Sequence, residues 1–209
     1  QKTESWVETE RSVKGVDWFL GGAFLCLTLG TVAIGMLLLH DRKYYFISLL
    51  LLLETLVYFY VGWERGKPGA RELAAVAALT ALAVAGRVVF FALPQIKPMM
   101  AIVILTGLAF GEGTGFLVGA AAAFVSNMFF GQGAWTPWHM VAFGLVGGLS
   151  GLIAPYWKVN RWYVSLFGFF VTLLLYGFLM NLASLLLWQP HPTGVMLAAT
   201  VAQGLPFDL

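Results

Sequence analysis

Long apolar segments are the feature of this chain that most constrains its fold. Seven of them follow one another, at residues 18–39, 44–63, 73–93, 99–110, 113–130, 138–154 and 162–188. As a helix, about 20 apolar residues cross the ~30 Å hydrocarbon core of a bilayer. Residues 99–110 rise only about 18 Å, so they predict a short span whose ends are covered by protein. Residues 193–209 begin another apolar segment that stops too early to cross, which predicts a truncated last helix.

The composition excludes a soluble globular protein. Hydrophobic residues make up 60% of the chain and charged residues 11%, whereas a soluble domain has roughly 45–50% and about 25%. We therefore predict an all-α polytopic membrane protein. The formal net charge of +2 is too small to indicate nucleic-acid binding. The single cysteine, Cys26, excludes a disulfide framework, and residues 1–16 lack the apolar core of a signal peptide.

The distribution of lysine and arginine predicts the orientation in the membrane. With the N-terminal segment, residues 1–17, in the cytoplasm, eight basic residues lie inside and three outside, as the positive-inside rule favours. The inner ones are Lys2, Arg11, Lys14, Arg65, Lys67, Arg71, Lys158 and Arg161, and the outer ones are Arg42, Lys43 and Lys97. This orientation places the loops at residues 93–98, 131–137 and 189–194 together on the outer face.

Small residues recur at helical spacing in two regions. Glycine occupies positions 107, 111, 115 and 119, and further pairs four apart are 144 with 148 and 147 with 151. Such spacing lets helix backbones approach closely in lipid, and we interpret it as packing within the chain. Residues 73–93 carry a smooth stripe of Ala77, Ala81 and Ala85. From composition alone, we expect this stripe to face the inside of the bundle rather than a partner helix.

A serine-protease interpretation rests on Gly148-Leu149-Ser150-Gly151, which matches the GxSG pattern of rhomboid-type proteases. Ser150 would need a histidine within hydrogen-bond reach. His191 is expected on the opposite side of the membrane, and His139 lies about 16 Å away along the same helix. We therefore treat the match as accidental. The sequence also has no metal-binding histidine spacing and no Walker A motif, so energy for any transport must come from an ion gradient or another subunit.

Two ionisable residues, Glu54 and Arg87, lie inside predicted spans. Intramembrane charges are functional candidates. Arg87 has three possible roles: it can extend its charge outward to the interface, pair with Glu54, or contact a ligand. One acid and one base are too few to suggest a proton relay.

The predicted outer loops carry the strongest functional signal. Residues 129–140 combine glycines with Trp135 and Trp138, and Gln132, Thr136 and His139 alternate with them. An interfacial aromatic belt explains tryptophans near lipid headgroups, but it does not require these polar side chains. Aromatic faces with a few polar groups are typical of a pocket for a planar organic ligand. The other loops would add Gln95, Lys97, Trp188, Gln189 and His191.

From about Glu72 onward the sequence resembles the substrate-binding S components of energy-coupling factor (ECF) vitamin transporters. The residues that carry the resemblance are the alanine-rich helix ending in Gly86-Arg87, the loop at 93–98, the glycine-rich segment 111–119, the block 127–138 and the closing 204–209. The resemblance implies a six-helix membrane core at residues 72–209. Two additional transmembrane helices at residues 18–64 precede this core and depart from the family pattern.

The resemblance also implies a mechanism without enzymatic activity or a cofactor in this subunit. An S component captures a vitamin through its outer loops, docks on a coupling membrane subunit that works with two ATPase subunits, and topples to face the cytoplasm. Docking uses an alanine face on the first core helix, which corresponds to Ala77, Ala81 and Ala85 and reverses the expectation from composition.

The block Phe129-Phe130-Gly131-Gln132-Gly133-Ala134-Trp135-Thr136-Pro137-Trp138 most resembles the cobalamin-specific members. We therefore expect vitamin B12 and related corrinoids as substrate, with riboflavin or another vitamin as the alternative. A stand-alone secondary transporter is less favoured because we find no inverted repeats or paired intramembrane carboxylates. We expect His139 and His191 to make polar contacts rather than ligate cobalt. The residues assigned to the site are Arg87, Gln95, Lys97, Gln132, Trp135, Trp138, His139, Phe143, Asn181, Trp188 and His191.

Overall fold

A computed structural model describes residues 21–35, 44–66, 70–93, 98–156, 160–189 and 193–208 of the chain. Within these ranges all regular structure is helical, which confirms the predicted all-α polytopic membrane class. The eight described helices are α1 (Gly21–Gly35), α2 (Tyr44–Gly66), α3 (Ala70–Val89), α4 (Pro98–Phe110), α5 (Glu112–Phe130), α6 (Thr136–Ile153), α7 (Arg161–Trp188) and α8 (Gly194–Asp208). A short 3₁₀ turn, Ala154–Tyr156, extends α6.

Four helices in the described part of the chain are long and apolar enough to cross a bilayer. They are α3, α5, α6 with its 3₁₀ extension, and α7. Helix α4 has 13 residues, and its short length agrees with the sequence prediction. It packs against α3, α5 and α6 and buries Met99, Val103 and Ile104, so protein covers much of its surface as a short span requires.

Glycines bring the backbones of α4, α5 and α6 into direct contact. A Cβ on Gly107 or Gly115 would collide with the carbonyl oxygen of Gly147, and one on Gly119 with that of Phe143. The predicted packing role of these glycines within the chain is therefore confirmed. Gly111 is the exception, because it lies between α4 and α5 with φ +91° and no neighbour within 4 Å of its Cβ position. Its conformation suits glycine and separates α4 from α5, and its backbone lies against Gly151 of α6.

Helix α3 is only partly covered. It packs against α4 and α5 and buries Ala83 and Val84, whereas Ala77, Ala81 and Ala85 are exposed. The expectation from composition that this stripe faces the inside of the bundle is wrong. The stripe lies on the surface because the larger apolar side chains of α4 and α5 contact the adjacent face of the helix.

The two N-terminal helices pack against the rest of the bundle. The rings of Phe24 on α1, Tyr58 on α2 and Phe116 on α5 form one aromatic cluster, with centroids 4.5 to 5.3 Å apart. The indole Nε1 of Trp138 on α6 donates a hydrogen bond to the hydroxyl of Ser48 on α2 at 3.1 Å. Both contacts join α1 and α2 to α5 and α6.

Glu54 links the N-terminal helices to each other. Its carboxylate accepts a hydrogen bond from the hydroxyl of Thr28 at 3.3 Å and another from the hydroxyl of Thr31, both on α1. Arg87 instead has partners on α5. The interpretation that Arg87 pairs with Glu54 is therefore wrong, and the acid serves as an interhelical contact.

Candidate functional site

Arg87 anchors a polar cluster where the C-terminal ends of α3 and α5 meet the start of α6. Its Nη1 donates hydrogen bonds to Oγ of Ser126 at 2.6 Å and to Oδ1 of Asn127 at 3.0 Å. Its guanidinium carbon lies 4.8 Å from the centroid of the Phe130 ring, which adds a cation–π contact. The half-buried charge is thus held by neutral groups of α5.

Asn127 connects Arg87 to α6. The side chain is 1% exposed, and its Nδ2 donates to Oγ1 of Thr136 at 3.2 Å. The same Nδ2 lies 3.1 Å from Nδ1 of His139. A buried amide whose oxygen and nitrogen both have hydrogen-bond partners holds its neighbours in one arrangement, so Asn127 is the centre of the cluster.

The loop between α5 and α6 closes over this centre. Gly131 ends α5 with φ +100°, a conformation for which glycine is the default residue. The hydroxyl of Thr136 then accepts from the backbone N–H of Gly133 at 3.2 Å and donates to Oε1 of Gln132 at 2.8 Å. Nε2 of Gln132 donates in turn to the carbonyl oxygen of Phe124 at 3.0 Å. The loop is therefore tied both to α6 and back to α5.

Aromatic side chains form one wall beside the polar centre. The rings of His139 and Tyr176 are nearly parallel, at 10° and 6.5 Å between centroids, and Phe143 meets Tyr176 edge-on at 4.9 Å. Tyr176 lies in a π-helical stretch of α7, Val171–Gly177. Such interruptions of an α-helix are frequent at functional sites. These ring faces and the polar centre meet at His139.

The remaining predicted site residues lie in several places. Half-buried Trp135 precedes α6, and its ring lies against Gly133. Trp138 is 2% exposed and packs in a separate apolar cluster with residues of α1, α2 and α7. Asn181 donates to the carbonyl of Gly177 within α7 and lies beside Gly204 of α8. Trp188 is exposed at the end of α7. Gln95, Lys97 and His191 are outside the described residues.

The structure adds members that the sequence analysis did not assign to the site. The added residues are Ser126, Asn127, Phe130, Thr136 and Tyr176. Ser126 and Asn127 are consecutive polar residues inside an apolar segment. Because buried polar groups in a membrane need partners, that pair is a signal that could have identified them.

Ser150 does not have the surroundings of a nucleophile. It is fully buried, and its hydroxyl donates to the carbonyl of Val146 one turn earlier at 2.7 Å. His139, three turns away on α6, contacts Asn127 instead. The serine of the GxSG match is therefore one whose hydroxyl is hydrogen-bonded within its own helix. Within the described ranges, no three His, Cys, Asp or Glu side chains group closely enough to hold a metal ion.

Comparison with known proteins identifies the family. The family model described as "ECF-type riboflavin transporter, S component" matches residues 69–206. The chain belongs to this family. The family consists of membrane transport subunits, and the four long apolar helices of the described residues agree with a membrane protein. The description carried by the family model refers to riboflavin and does not support the cobalamin-specific type.

Curated relatives of this S component include UPF0397 proteins. One, from Vibrio atlanticus, is 39% identical over 71 residues, which cover 34% of this chain and 38% of the relative. Another, from Aliivibrio salmonicida, is 38% identical over 77 residues, or 37% and 41% of the two chains. The chain thus spans about two fifths of the length of these relatives. No solved structure matches it.

Proposed function

We propose that this S component is the substrate-binding membrane subunit of an ATP-driven ECF importer and that it captures a corrinoid, cobalamin or a close relative. The observation that supports this proposal is the positive charge of Arg87. Its partners Ser126, Asn127 and Phe130 are all uncharged. A half-buried guanidinium without a carboxylate among these partners retains its capacity to bind an anionic group of a ligand.

The two candidate vitamins, cobalamin and riboflavin, differ in whether they carry an anionic group. Cobalamin carries a phosphodiester and several amide groups around a flat corrin ring, so it offers Arg87 an anion and the polar cluster several acceptors. Riboflavin is flat and has amide-like carbonyls, but it has no anionic group. The ring faces of His139, Phe143 and Tyr176 suit either vitamin. Riboflavin is the second candidate because the matching family model is named for it.

The import cycle that we propose needs partners outside this chain. A coupling membrane subunit and two ATPase subunits would supply the energy. The exposed stripe of Ala77, Ala81 and Ala85 on α3 is our candidate for the docking face, because small side chains let helices approach closely in lipid. We further propose that the N-terminus is cytoplasmic, which places the cluster around Asn127 toward the outer face.

The first experiment tests vitamin capture directly. The detergent-purified protein is incubated with vitamins, passed over gel filtration, and examined by visible absorption. We expect a retained corrinoid spectrum. A retained flavin spectrum would keep the transport role and replace the substrate with the second candidate. Retention of neither vitamin by a folded sample would contradict both substrates.

A second experiment tests the role of Arg87. We expect wild-type protein to bind cobalamin more tightly than cobinamide, a corrinoid without the nucleotide and its phosphodiester. A hydrogen bond to a charged group contributes about 1.5–3 kcal/mol, or roughly a tenfold to hundredfold preference. Arg87→Gln should abolish this preference by weakening cobalamin binding alone, measured by titration.

The matched control is Arg71→Gln, the same change at the exposed other end of α3. It should leave both affinities unchanged. Equal affinity of the wild-type protein for cobalamin and cobinamide would show that no phosphodiester is bound by Arg87, and the proposed anion contact would be wrong.

A further inference from the structure

The partners of Asn127 determine which way round its amide lies. A guanidinium has only donors, so the amide atom 3.0 Å from Nη1 of Arg87 must be the oxygen, Oδ1. Nδ2 is then the atom that faces both Thr136 and His139. The reverse orientation would set two donors against each other at the Arg87 contact and leave that half-buried charge without one of its acceptors.

The hydroxyl of Thr136 gives an independent check on this orientation. It accepts from the backbone N–H of Gly133, which only donates, and it donates to Oε1 of Gln132. Gln132 is oriented in turn by the carbonyl oxygen of Phe124, which only accepts and therefore takes Nε2–H. The remaining lone pair of Thr136 must face a donor, as it does when Nδ2 of Asn127 points toward it. The hydrogen bonds thus run in one direction from Arg87 to Phe124.

The same direction determines the protonation of His139. Since Nδ2 of Asn127 donates, Nδ1 of His139 must accept, and a neutral imidazole then carries its proton on Nε2. In this tautomer Nε2 has no lone pair for a metal, and whatever group it meets has to be a hydrogen-bond acceptor.

We propose that Asn127 is a positioning residue that holds His139 in its Nε2–H tautomer, so that His139 recognises a hydrogen-bond acceptor of the ligand and does not ligate cobalt. The acceptor is an amide or ring carbonyl oxygen. The assignment of the tautomer stands on the contacts of Arg87, Asn127 and Thr136 alone. The role toward the ligand rests on the proposed function.

Nitrogen-15 NMR of the full chain tests the tautomer without any vitamin. The protein is labelled with ¹⁵N-histidine, reconstituted in nanodiscs, and measured at a pH where imidazole is neutral. It contains three histidines, and His139→Gln identifies the signals of His139 by their loss. We expect an unprotonated Nδ1 and a protonated Nε2. A protonated Nδ1 in the wild-type protein would overturn the proposal.

Two variants separate positioning from general damage to the fold. In Asn127→Asp the carboxylate can only accept, so the proton of His139 should move to Nδ1. In Ser126→Ala, Arg87 loses one acceptor while the contact between Asn127 and His139 is retained, so the tautomer should stay as in wild type. An unchanged tautomer in a folded Asn127→Asp sample would contradict the assignment.

Aquocobalamin tests the role toward the ligand, because imidazole in place of the axial water shifts its visible bands. We expect the bound vitamin to show the same band positions in wild type and in His139→Gln, with affinity reduced about fivefold to tenfold, the equivalent of one lost neutral hydrogen bond. A shift present in wild type and absent in His139→Gln would establish cobalt ligation and overturn the proposal. Failure to retain any corrinoid would instead contradict the proposed substrate, while the NMR result would remain valid.

Discussion

At the scale of single residues, the close packing of two helices depends on glycines, which have no side chain. Gly115 of α5 and Gly147 of α6 lie so close that a Cβ on either would collide with the carbonyl group of the other. In lipid, where the hydrophobic effect does not drive helices together, such close contact is a main source of association. The packing of α5 on α6 therefore depends on these two positions.

Gly115→Ala should destabilise the protein by about 1–3 kcal/mol, because the added methyl group meets backbone that cannot move aside. Thermal unfolding in detergent measures the change. The matched control is Gly113→Ala on the same helix, where nothing lies within 4 Å of the Cβ position. It should be neutral or slightly stabilising, since alanine favours helix. Equal destabilisation by both variants would argue against the close contact.

At the scale of helices, apolar length alone predicted the described helices closely, because a membrane leaves helices as the viable spans for an apolar chain. It did not predict the 3₁₀ turn after α6 or the π-helical stretch of α7. Which face of a helix meets which neighbour was less predictable. The alanine stripe of α3 looked suited to the interior, yet it lies on the surface.

The candidate site was predictable in part for the same reason. Arg87, Gln132 and His139 were identified as unusual polar residues, and the structure brings them together. Asn127, which joins them, was missed because its importance depends on the rotation of α5 relative to α3 and α6. No local pattern in a single sequence specifies that rotation.

Ala81→Trp should block assembly with the coupling subunit and leave vitamin binding by the isolated protein unchanged, because the large ring prevents close approach of a partner helix to α3. Co-purification of the subunits and vitamin titration measure the two effects. Leu174→Trp, at an exposed apolar position of α7, is the matched control and should assemble normally. Normal assembly and uptake in Ala81→Trp would rule out the stripe as the docking face.

At the scale of the whole molecule, the N-terminal helices are an integral part of the bundle. They contribute Phe24 and Tyr58 to the aromatic cluster with Phe116, and Ser48 accepts from Trp138. Neither contact involves the exposed stripe of α3. Helices α1 and α2 therefore pack against α5 and α6, and among the described residues the stripe on α3 stays exposed.

Trp138→Phe should lower stability by about 1 kcal/mol, since it removes one buried hydrogen bond to α2, and should leave vitamin affinity within about twofold. Thermal unfolding and titration distinguish these effects. Trp162→Phe, at an exposed tryptophan on α7, serves as the control and should change neither quantity. A large loss of vitamin affinity with normal stability would show that Trp138 belongs to the vitamin site.

The π-helical stretch of α7 also gives the helix a place where its length can change. A π-helical turn holds one residue more than an α-helical turn in about the same rise, and each residue of an α-helix turns the chain by about 100°. Deleting one residue between Val171 and Gly177 would therefore leave an ordinary α-helical turn, and Leu182 and Leu186 would still face the cluster around Trp138. A deletion between this stretch and Leu182 would instead rotate both leucines away from that cluster.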